Sequence, residues 1–180
     1  LDISNNFKIN FDQLESSINE NTSLIIINFP SNPIGGVISK MDMKILVSIL
    51  EKHPNIKILS DEIYSRILYD NAEFISLLEY PQLKDRVIIL DGWSKTYAMT
   101  GWRIGYGVWP KEYVHIAEQL NINSFSCTNT STQFAAIEAL QGPPGDNFRP
   151  PELGLLDLIL QTYSELKRIY QETGVLGCWG

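Results

Sequence analysis

The sequence contains few of the residues on which several classes of site depend. Its two cysteines, Cys127 and Cys178, are far apart and outside any metal-ligand spacing, so neither a disulfide framework nor a cysteine-based zinc site is indicated. A reducing, cytoplasmic environment is therefore expected. The two histidines, His53 and His115, do not accompany a serine or carboxylate in a pattern typical of a hydrolase triad.

Long apolar runs and positive charge are also scarce. The longest apolar run, at 24–27, is far shorter than the roughly 20 residues that span a bilayer. Residues 1–20 are polar and acidic and lack the apolar segment of a signal peptide. The net charge of −7 argues against a general nucleic-acid-binding surface. We expect neither a membrane nor a nucleic acid as a partner.

Apolar patterns predict alternating helices and strands along the chain. The predicted helices are 11–18, 40–52, 111–120 and 132–141, and the predicted strands are 24–28, 56–59, 86–90 and 103–109. The first strand, LIIIN, is apolar at successive positions, which is typical of a parallel strand buried on both faces. This order predicts an α/β fold with a largely parallel sheet. A Pro/Gly-rich linker at 142–151 and a helical stripe at 152–173 are expected to follow.

Polar residues follow the three clearest strands at the point where each ends. The sequences are NFPSNPIGG after the first, SDEIY at the end of the second and DGWSK after the third. Ligands of open α/β sheets bind just beyond the carboxyl ends of the strands. These three segments are therefore the first place to look for a functional site.

Two cations, Lys95 and Arg103, lie in the glycine- and aromatic-rich stretch GWSKTYAMTGWRIGYG at 92–107. A lysine beyond a strand end can act as a nucleophilic amine toward a carbonyl, and a solvated loop lysine is the alternative. An arginine in this setting suits a phosphate, to which Ser94 can add a hydroxyl donor; an ion pair with a carboxylate is the alternative. The glycines between the two cations indicate that the chain folds back and brings them closer together.

The second strand is followed by two further candidates, Asp61 and Tyr64. The carboxylate can pair with a protonated heterocycle nitrogen and the phenol can bond a ring oxygen, whereas a helix N-cap is the alternative role for Asp61. Glu62 is expected to be a solvated acid. Asn32 lies in a proline-rich loop, where it is either a turn residue or a rigidly held amide donor. One of the X-Pro bonds of that loop can be cis.

The order and spacing of these motifs resemble the class I and II aminotransferases, pyridoxal-phosphate enzymes of the aspartate aminotransferase fold. The resemblance covers residues 8–141 and rests on NFPSNPIG at 28–35, DEIY at 61–64, and SK followed by GWRIG at 94–105. It implies a three-layer α/β/α architecture of the fold type I class. Residues 1–141 would then be an incomplete, cofactor-binding large domain, followed by the linker and an atypical segment at 152–180.

The resemblance implies a role for each residue near the cofactor ring. Lys95 matches the lysine that bonds covalently to the cofactor's aldehyde and, once freed by the amino-acid substrate, moves a proton from the substrate's Cα. Asp61 matches the acid that keeps the pyridine nitrogen protonated, so that the ring remains an electron sink. Tyr64 matches the phenol that contacts the 3-oxygen of the ring.

The remaining matches concern the substrate carboxylate and the cofactor phosphate. Asn32 matches an amide near the 3-oxygen and the substrate carboxylate, and Ser94 and Arg103 match phosphate ligands. Two positions depart from the family pattern. Ile34 replaces a threonine that is usual after Asn-Pro, and Gly92 stands where many relatives have a second phosphate-binding serine.

The implied reaction is the exchange of an amino group between an amino acid and a 2-oxo acid. The resemblance also implies a homodimer, with residues 121–133 near the subunit interface. The glycine-rich phosphate loop and the ring-stacking aromatic belong upstream of residue 1, and the arginine that grips the substrate belongs downstream of residue 180. The isolated chain is therefore expected to lack full activity.

Three alternatives remain open from the sequence. A lyase or synthase of the same fold would use the same Lys95 and Asp61 for elimination at Cβ or Cγ. A transcription regulator with an aminotransferase-like domain would carry a winged-helix region upstream. A fragment that binds nothing is the third.

Overall fold

The computed structural model describes residues 7–141 and contains one four-stranded sheet. The strands lie in the order β1-β2-β3-β4, with bounds Leu24–Asn28, Lys57–Asp61, Val87–Gly92 and Gly105–Val108. The first three strands are parallel, and β4 is antiparallel to β3. The α/β fold with a mostly parallel sheet is therefore confirmed.

Five helices and three short 3-10 turns accompany the sheet in the described part of the chain. The helices are α1 Phe11–Ser17, α2 Lys40–Lys52, α3 Trp93–Thr96, α4 Lys111–Phe125 and α5 Thr130–Gln141. The 3-10 turns are Leu77–Glu79, Pro81–Leu83 and Thr100–Trp102. The chain divides into units 1–136 and 137–180, and only the end of α5 is described in the second. The predicted linker at 142–151 and the segment 152–180 lie outside the described residues.

Helix α2 has the predicted bounds because its sequence carries both end signals. The Ser39 side chain accepts a hydrogen bond from the Asp42 N–H at 3.1 Å, which caps the first turn. The helix ends at Lys52, because the ring of Pro54 disfavours the helical conformation at the preceding residue, His53. Between these ends the buried side chains repeat at helical spacing; they are Met43, Leu46, Val47, Ile49 and Leu50.

The main core lies between α2 and one face of the sheet. Alternate strand residues point to this face, and the buried ones are Ile27, Ile58, Val87 and Ile89. Leu77 and Leu83, from two of the 3-10 turns, complete the same cluster. This packing fixes the positions of the three parallel strands, and hence the positions of the loops that follow them.

The opposite face of the sheet is less covered in the described residues. Ile26 is 68% exposed and Leu24 is 43% exposed, so the prediction that β1 is buried on both faces is wrong for the described structure. Lys57, which points to this face, donates to Glu112 of α4 at 3.0 Å and lies 4.9 Å from the Tyr113 ring centroid. Within residues 7–141, no helix is long and apolar enough to cross a membrane.

Arg86 is a buried cation that joins β3 to the end of α2. Its guanidinium donates to the carbonyl oxygens of Leu50 at 2.6 Å, His53 at 2.9 Å and Ile56 at 3.0 Å. Burial lowers the pKa of Arg86, but an arginine remains charged at any ordinary pH. Carbonyl groups near a helix end have no intrahelical partner, and Arg86 supplies donors for three carbonyls in this region.

Replacing Arg86 with methionine is expected to lower the free energy of unfolding by about 3 kcal/mol, because buried acceptors lose their donors. Chemical denaturation of the protein measures this loss. Lys84→Met is the matched control, since Lys84 is exposed and undergoes the same change from cation to thioether. Equal stability of the two variants would contradict this role for Arg86.

Candidate active site

The parallel register brings the polar ends of the first two strands into contact. Asn28 is in register with Asp61, and its side-chain amide donates to the Asp61 carbonyl oxygen at 3.2 Å. The side-chain oxygen of Asn28 accepts from the Asn32 N–H at 3.3 Å. Asn28 therefore ties the loop after β1 to the end of β2.

Tyr64 is the point at which the loops after all three parallel strands meet. The Asn32 side-chain amide, from the loop after β1, donates to the Tyr64 hydroxyl at 2.9 Å. The Lys95 Nζ, from the segment after β3, lies 5.8 Å from the centroid of the Tyr64 ring, within range of a cation–π interaction. An amide, a phenol and an exposed amine thus come together from distant parts of the sequence.

The loop that carries Asn32 is closed by its own hydrogen bonds. The Ser31 N–H donates to the Gly36 carbonyl at 3.0 Å, and the Gly35 N–H donates to the Ser31 carbonyl at 2.7 Å. Gly35 has φ of +70°, a left-handed conformation that glycine adopts without a side-chain clash. Both the Phe29–Pro30 and Asn32–Pro33 bonds are cis, where the sequence suggested one.

Asp61 ends β2 and holds the turn that leads to Tyr64. Its Oδ1 accepts from the Ile63 N–H at 3.2 Å, and the Ser65 N–H donates to the Glu62 carbonyl at 2.8 Å. Residues 63–66 form a turn, so the alternative role of Asp61 as the N-cap of a helix is wrong. The Asp61 side chain is half-buried, on the same face of the sheet as Asn28.

The segment between β3 and β4 folds back, as the sequence indicated. Gly92 pairs with Gly105 across the two strands, so Lys95 and Arg103 both lie in one short connection at this end of the sheet. Arg103 adopts a left-handed conformation with φ of 53°, which reverses the chain direction just before β4.

The arginine and the serine of this connection lie at its two ends. The exposed Arg103 guanidinium donates to the Thr100 carbonyl at 3.1 Å, and among residues 7–141 it forms no salt bridge. The alternative interpretation, an ion pair with a carboxylate, is therefore wrong within this range. Ser94 is half-buried in α3, next to Lys95.

The family to which this chain belongs follows from its match to a protein-family model. The model of the family described as aminotransferase class I and II matches residues 1–165. The chain belongs to this family. Aminotransferase relatives and solved aminotransferase structures agree with the match.

Among the relatives, a probable aspartate/prephenate aminotransferase of Rickettsia felis is 39% identical over 168 residues, which are 93% of this chain and 41% of the relative. An aspartate/prephenate aminotransferase of Nitrosomonas europaea is 42% identical over 141 residues, or 78% of this chain and 36% of the relative. The chain thus spans about two fifths of the length of the curated relatives that it matches.

Solved structures show the same relationship in three dimensions. The aspartate aminotransferase of Rhizobium meliloti superposes with a TM-score of 0.77 at 32% identity, covering 93% of this chain and 39% of that structure. The aromatic aminotransferase of Pyrococcus horikoshii gives a TM-score of 0.78 at 26% identity, covering 96% of this chain and 44% of that structure. The described fold is therefore that of part of an aminotransferase.

Gly92 of this aminotransferase chain has no room for a side chain. A Cβ atom at Gly92 would lie 2.8 Å from the Gly105 Cα and 3.0 Å from the Ile104 carbonyl oxygen, and both are backbone atoms. The close approach of these two strands therefore requires glycine at position 92. The serine expected from many relatives would not fit this strand pair without a backbone shift.

Gly92→Ala is expected to lower the free energy of unfolding by about 1–3 kcal/mol, because the new methyl group must displace β4. Gly36→Ala is the matched control, since a Cβ atom there would meet only the Ser31 and Phe29 side chains, at 3.3 Å and 3.6 Å. Thermal or chemical unfolding compares the two variants. An equal loss of stability in both variants would show that the close contact with Gly105 does not cause the loss at Gly92.

Asp91 and Tyr106, which join the two ends of the fold-back segment, have no role that the sequence patterns predict. The Asp91 carboxylate accepts from the Gly92 N–H at 2.7 Å and from the Tyr106 hydroxyl at 3.1 Å. The Tyr106 ring packs edge-on against Trp93 with 5.4 Å between centroids. Burial, together with the Asp91 charge, raises the pKa of Tyr106. The sequence shows Asp91 near the end of a predicted strand, but the pairing of Asp91 with Tyr106 depends on the antiparallel register of β4.

The expectation that Glu62 is solvated is wrong. The residue is only 6% exposed, and its carboxylate accepts hydrogen bonds from neighbouring hydroxyl and N–H groups. Period-two alternation along an extended strand places Asp61 and Glu62 on opposite faces, so only one of two adjacent acids can face the candidate site.

Proposed function

We propose that this chain is the central part of the large domain of a pyridoxal-phosphate-dependent aminotransferase. The complete protein would exchange an amino group between an amino acid and a 2-oxo acid. The observation that carries the proposal is the convergence of Asn32 and Lys95 on Tyr64 in a chain that belongs to this family.

The donor set at the strand ends fits pyridoxal phosphate. Asp61, Tyr64 and Asn32 offer a carboxylate, a phenol and an amide along one edge of the sheet, which suits a pyridine nitrogen and a ring oxygen. Ser94 and Arg103 offer a hydroxyl and a guanidinium on the fold-back segment, which suits a phosphate. These five residues would hold the cofactor.

Lys95 would act on both the cofactor and the substrate. When bound, pyridoxal phosphate supplies an electron sink for negative charge at the substrate's Cα. Lys95 would provide the amine that bonds covalently to the aldehyde and, once free, the base that takes the proton from Cα. The exposed position of Lys95 supports this role, because a substrate can reach its amine.

The substrates belong to the same proposal. Relatives that are 39% and 42% identical in sequence are named probable aspartate/prephenate aminotransferase and aspartate/prephenate aminotransferase. We therefore take aspartate as the first amino donor to test and prephenate as the first acceptor. The amide of Asn32, which donates to the Tyr64 hydroxyl, would also donate to the substrate carboxylate.

The proposal extends to domain organisation and assembly. Residues 1–141 would form the partial cofactor domain, 142–151 a linker and 152–180 a helix with an atypical tail, and the complete protein would be a cytoplasmic homodimer. Exposed apolar side chains near residues 121–133, namely Leu120, Ile122 and Phe125, support an interface there.

The test is an assay of the complete protein with aspartate and a panel of 2-oxo acids that includes prephenate, with both amino-acid and keto-acid products quantified. The proposal predicts equal amounts of new amino acid and new 2-oxo acid. Absence of amino transfer to every acceptor would overturn it, and products of Cβ or Cγ elimination would instead identify a lyase of the same fold.

A further inference from the structure

Glu62 lies directly beside the candidate site but faces away from it. Asp61, the last residue of β2, points toward the face that carries Asn28, and Glu62, the next residue, points toward the face covered by α2. A buried carboxyl group is uncommon unless neighbouring groups satisfy it. The hydrogen bonds of Glu62 explain how its carboxyl group is accommodated in this buried position.

Hydrogen bonds hold the Glu62 side chain from three directions. Its Oε1 accepts from the Ser76 hydroxyl at 3.0 Å, the Ser60 hydroxyl at 3.1 Å and the Leu77 N–H at 3.4 Å. The Ser76 hydroxyl also accepts from the Leu78 N–H at 3.2 Å and so caps the 3-10 turn Leu77–Glu79. The carboxylate therefore fastens β2 to a turn that is distant in sequence.

The backbone of Glu62 is fixed as firmly as its side chain. Its N–H donates to the Leu90 carbonyl at 2.8 Å, and its carbonyl accepts from the Ser65 N–H at 2.8 Å. Glu62 is thus the residue that connects Asp61 to the turn bearing Tyr64. A shift of Glu62 would move the backbone that joins those two candidate cofactor ligands.

We propose that Glu62 is a positioning residue, whose buried carboxyl group holds the junction between Asp61 and the turn bearing Tyr64 against the 3-10 turn Leu77–Glu79. The proposal rests on the proposed function, because it assumes that Asp61 and Tyr64 contact pyridoxal phosphate. Glu62 itself would touch neither cofactor nor substrate. Its effect would be to fix the distance and angle between two groups that do.

The charged surroundings of Glu62 give the proposal a pH signature. Burial, with a smaller contribution from the Asp91 charge on β3, raises the pKa of Glu62 above 4.5, although its three hydrogen bonds oppose the shift. The Tyr106 phenol on β4 also senses the Glu62 charge. Because the folded pKa is raised, stability from this group is full below the ordinary value and is lost as pH rises through the folded value.

The main experiment compares the complete wild-type apoprotein with E62M, which keeps the length of the side chain but removes the oxygen that accepts from Ser60, Ser76 and Leu77. At a pH and temperature where both are fully folded, E62M is expected to raise the dissociation constant for pyridoxal phosphate by about tenfold, because the turn loses its anchor. The variant S76A removes one of the three donors and is expected to give a smaller loss. Because the two residues share one network, the double variant should lose less affinity than the two single losses added together.

A stability measurement on the same proteins provides the second readout. The free energy of unfolding of wild type relative to E62M, which cannot ionise, is expected to fall as pH rises from 4.5 through the raised folded pKa, and then to level off. If this difference in the free energy of unfolding did not change with pH, Glu62 would not be the ionisable group that holds the turn.

E79M is the matched control, because Glu79 accepts from the Ser76 N–H in the same turn at 3.2 Å but is exposed and, among the described residues, forms no hydrogen bond with Glu62. It should leave the cofactor affinity unchanged. Wild-type affinity in folded E62M and S76A would overturn the positioning role; if E62M does not fold, S76A alone decides. Failure of the wild type itself to bind pyridoxal phosphate would instead refute the proposed function.

Discussion

Replacing Lys95 with alanine in the complete protein is expected to reduce turnover by at least about 10³-fold, because one amine supplies both the covalent link and the proton transfer. The structure shows the Lys95 amine beside the Tyr64 ring, at the meeting point of three loops. No neighbouring lysine within residues 7–141 shares that contact, so another side chain is not positioned to take over.

The measurement is the rate of amino transfer together with the visible absorbance of the protein after addition of pyridoxal phosphate. Lys95→Arg is the matched variant: it retains positive charge and length, but its guanidinium stays protonated and cannot act as the nucleophile. It should be as inactive as Lys95→Ala. Lys84→Ala, an exposed lysine before the amino end of β3, should behave as wild type. Substantial activity in Lys95→Arg would contradict the nucleophilic role.

Asp61→Asn is expected to have the second-largest effect, a loss of turnover of roughly 30- to 1,000-fold, equal to about 2–4 kcal/mol. Asparagine retains the oxygen that accepts from the Ile63 N–H, so the turn leading to Tyr64 should survive. What it loses is the negative charge that would keep the pyridine nitrogen protonated. The fold therefore remains while the electron sink weakens.

Steady-state kinetics and chemical denaturation separate these two effects. The free energy of unfolding of Asp61→Asn should stay within about 1 kcal/mol of wild type, because shape and hydrogen bonding are largely conserved. Asp85→Asn is the control; this exposed carboxylate lies before the amino end of β3, at the opposite end of the sheet. Wild-type turnover in Asp61→Asn would show that Asp61 is structural only.

Local signals were sufficient where one segment determines its own structure. The bounds of α2 followed from Ser39, from the apolar spacing and from Pro54, all of which lie within the helix or next to it. The polar segments after the first three strands also lie where the geometry of parallel sheets predicts. The candidate residues Asn32, Tyr64 and Lys95 could thus be chosen from the sequence.

Contacts between segments could not be obtained in the same way. That Asn32 bonds Tyr64 depends on the pairing of Asn28 with Asp61, which the sequence of either strand alone does not define. The antiparallel pairing of β4, and with it the Asp91–Tyr106 bond, depends on where the chain folds back. The exposure of Ile26 is likewise a property of what packs against β1.

Glu62 shows a third kind of limit. Alternation of the extended chain at the end of β2 predicts that Asp61 and the following Glu62 point to opposite faces, but it does not state which of the two faces the core. The deciding partners are Ser60, Ser76 and Leu77, and two of these lie more than ten residues away. A polar residue at the end of a strand is therefore a signal whose meaning depends on the neighbouring turn.

The most direct test of the central claim is borohydride reduction of the complete protein in the presence of pyridoxal phosphate, followed by peptide mapping with mass spectrometry. The account predicts one stable cofactor adduct, on the peptide that contains Lys95. Absence of an adduct, or an adduct on a different lysine, would contradict it.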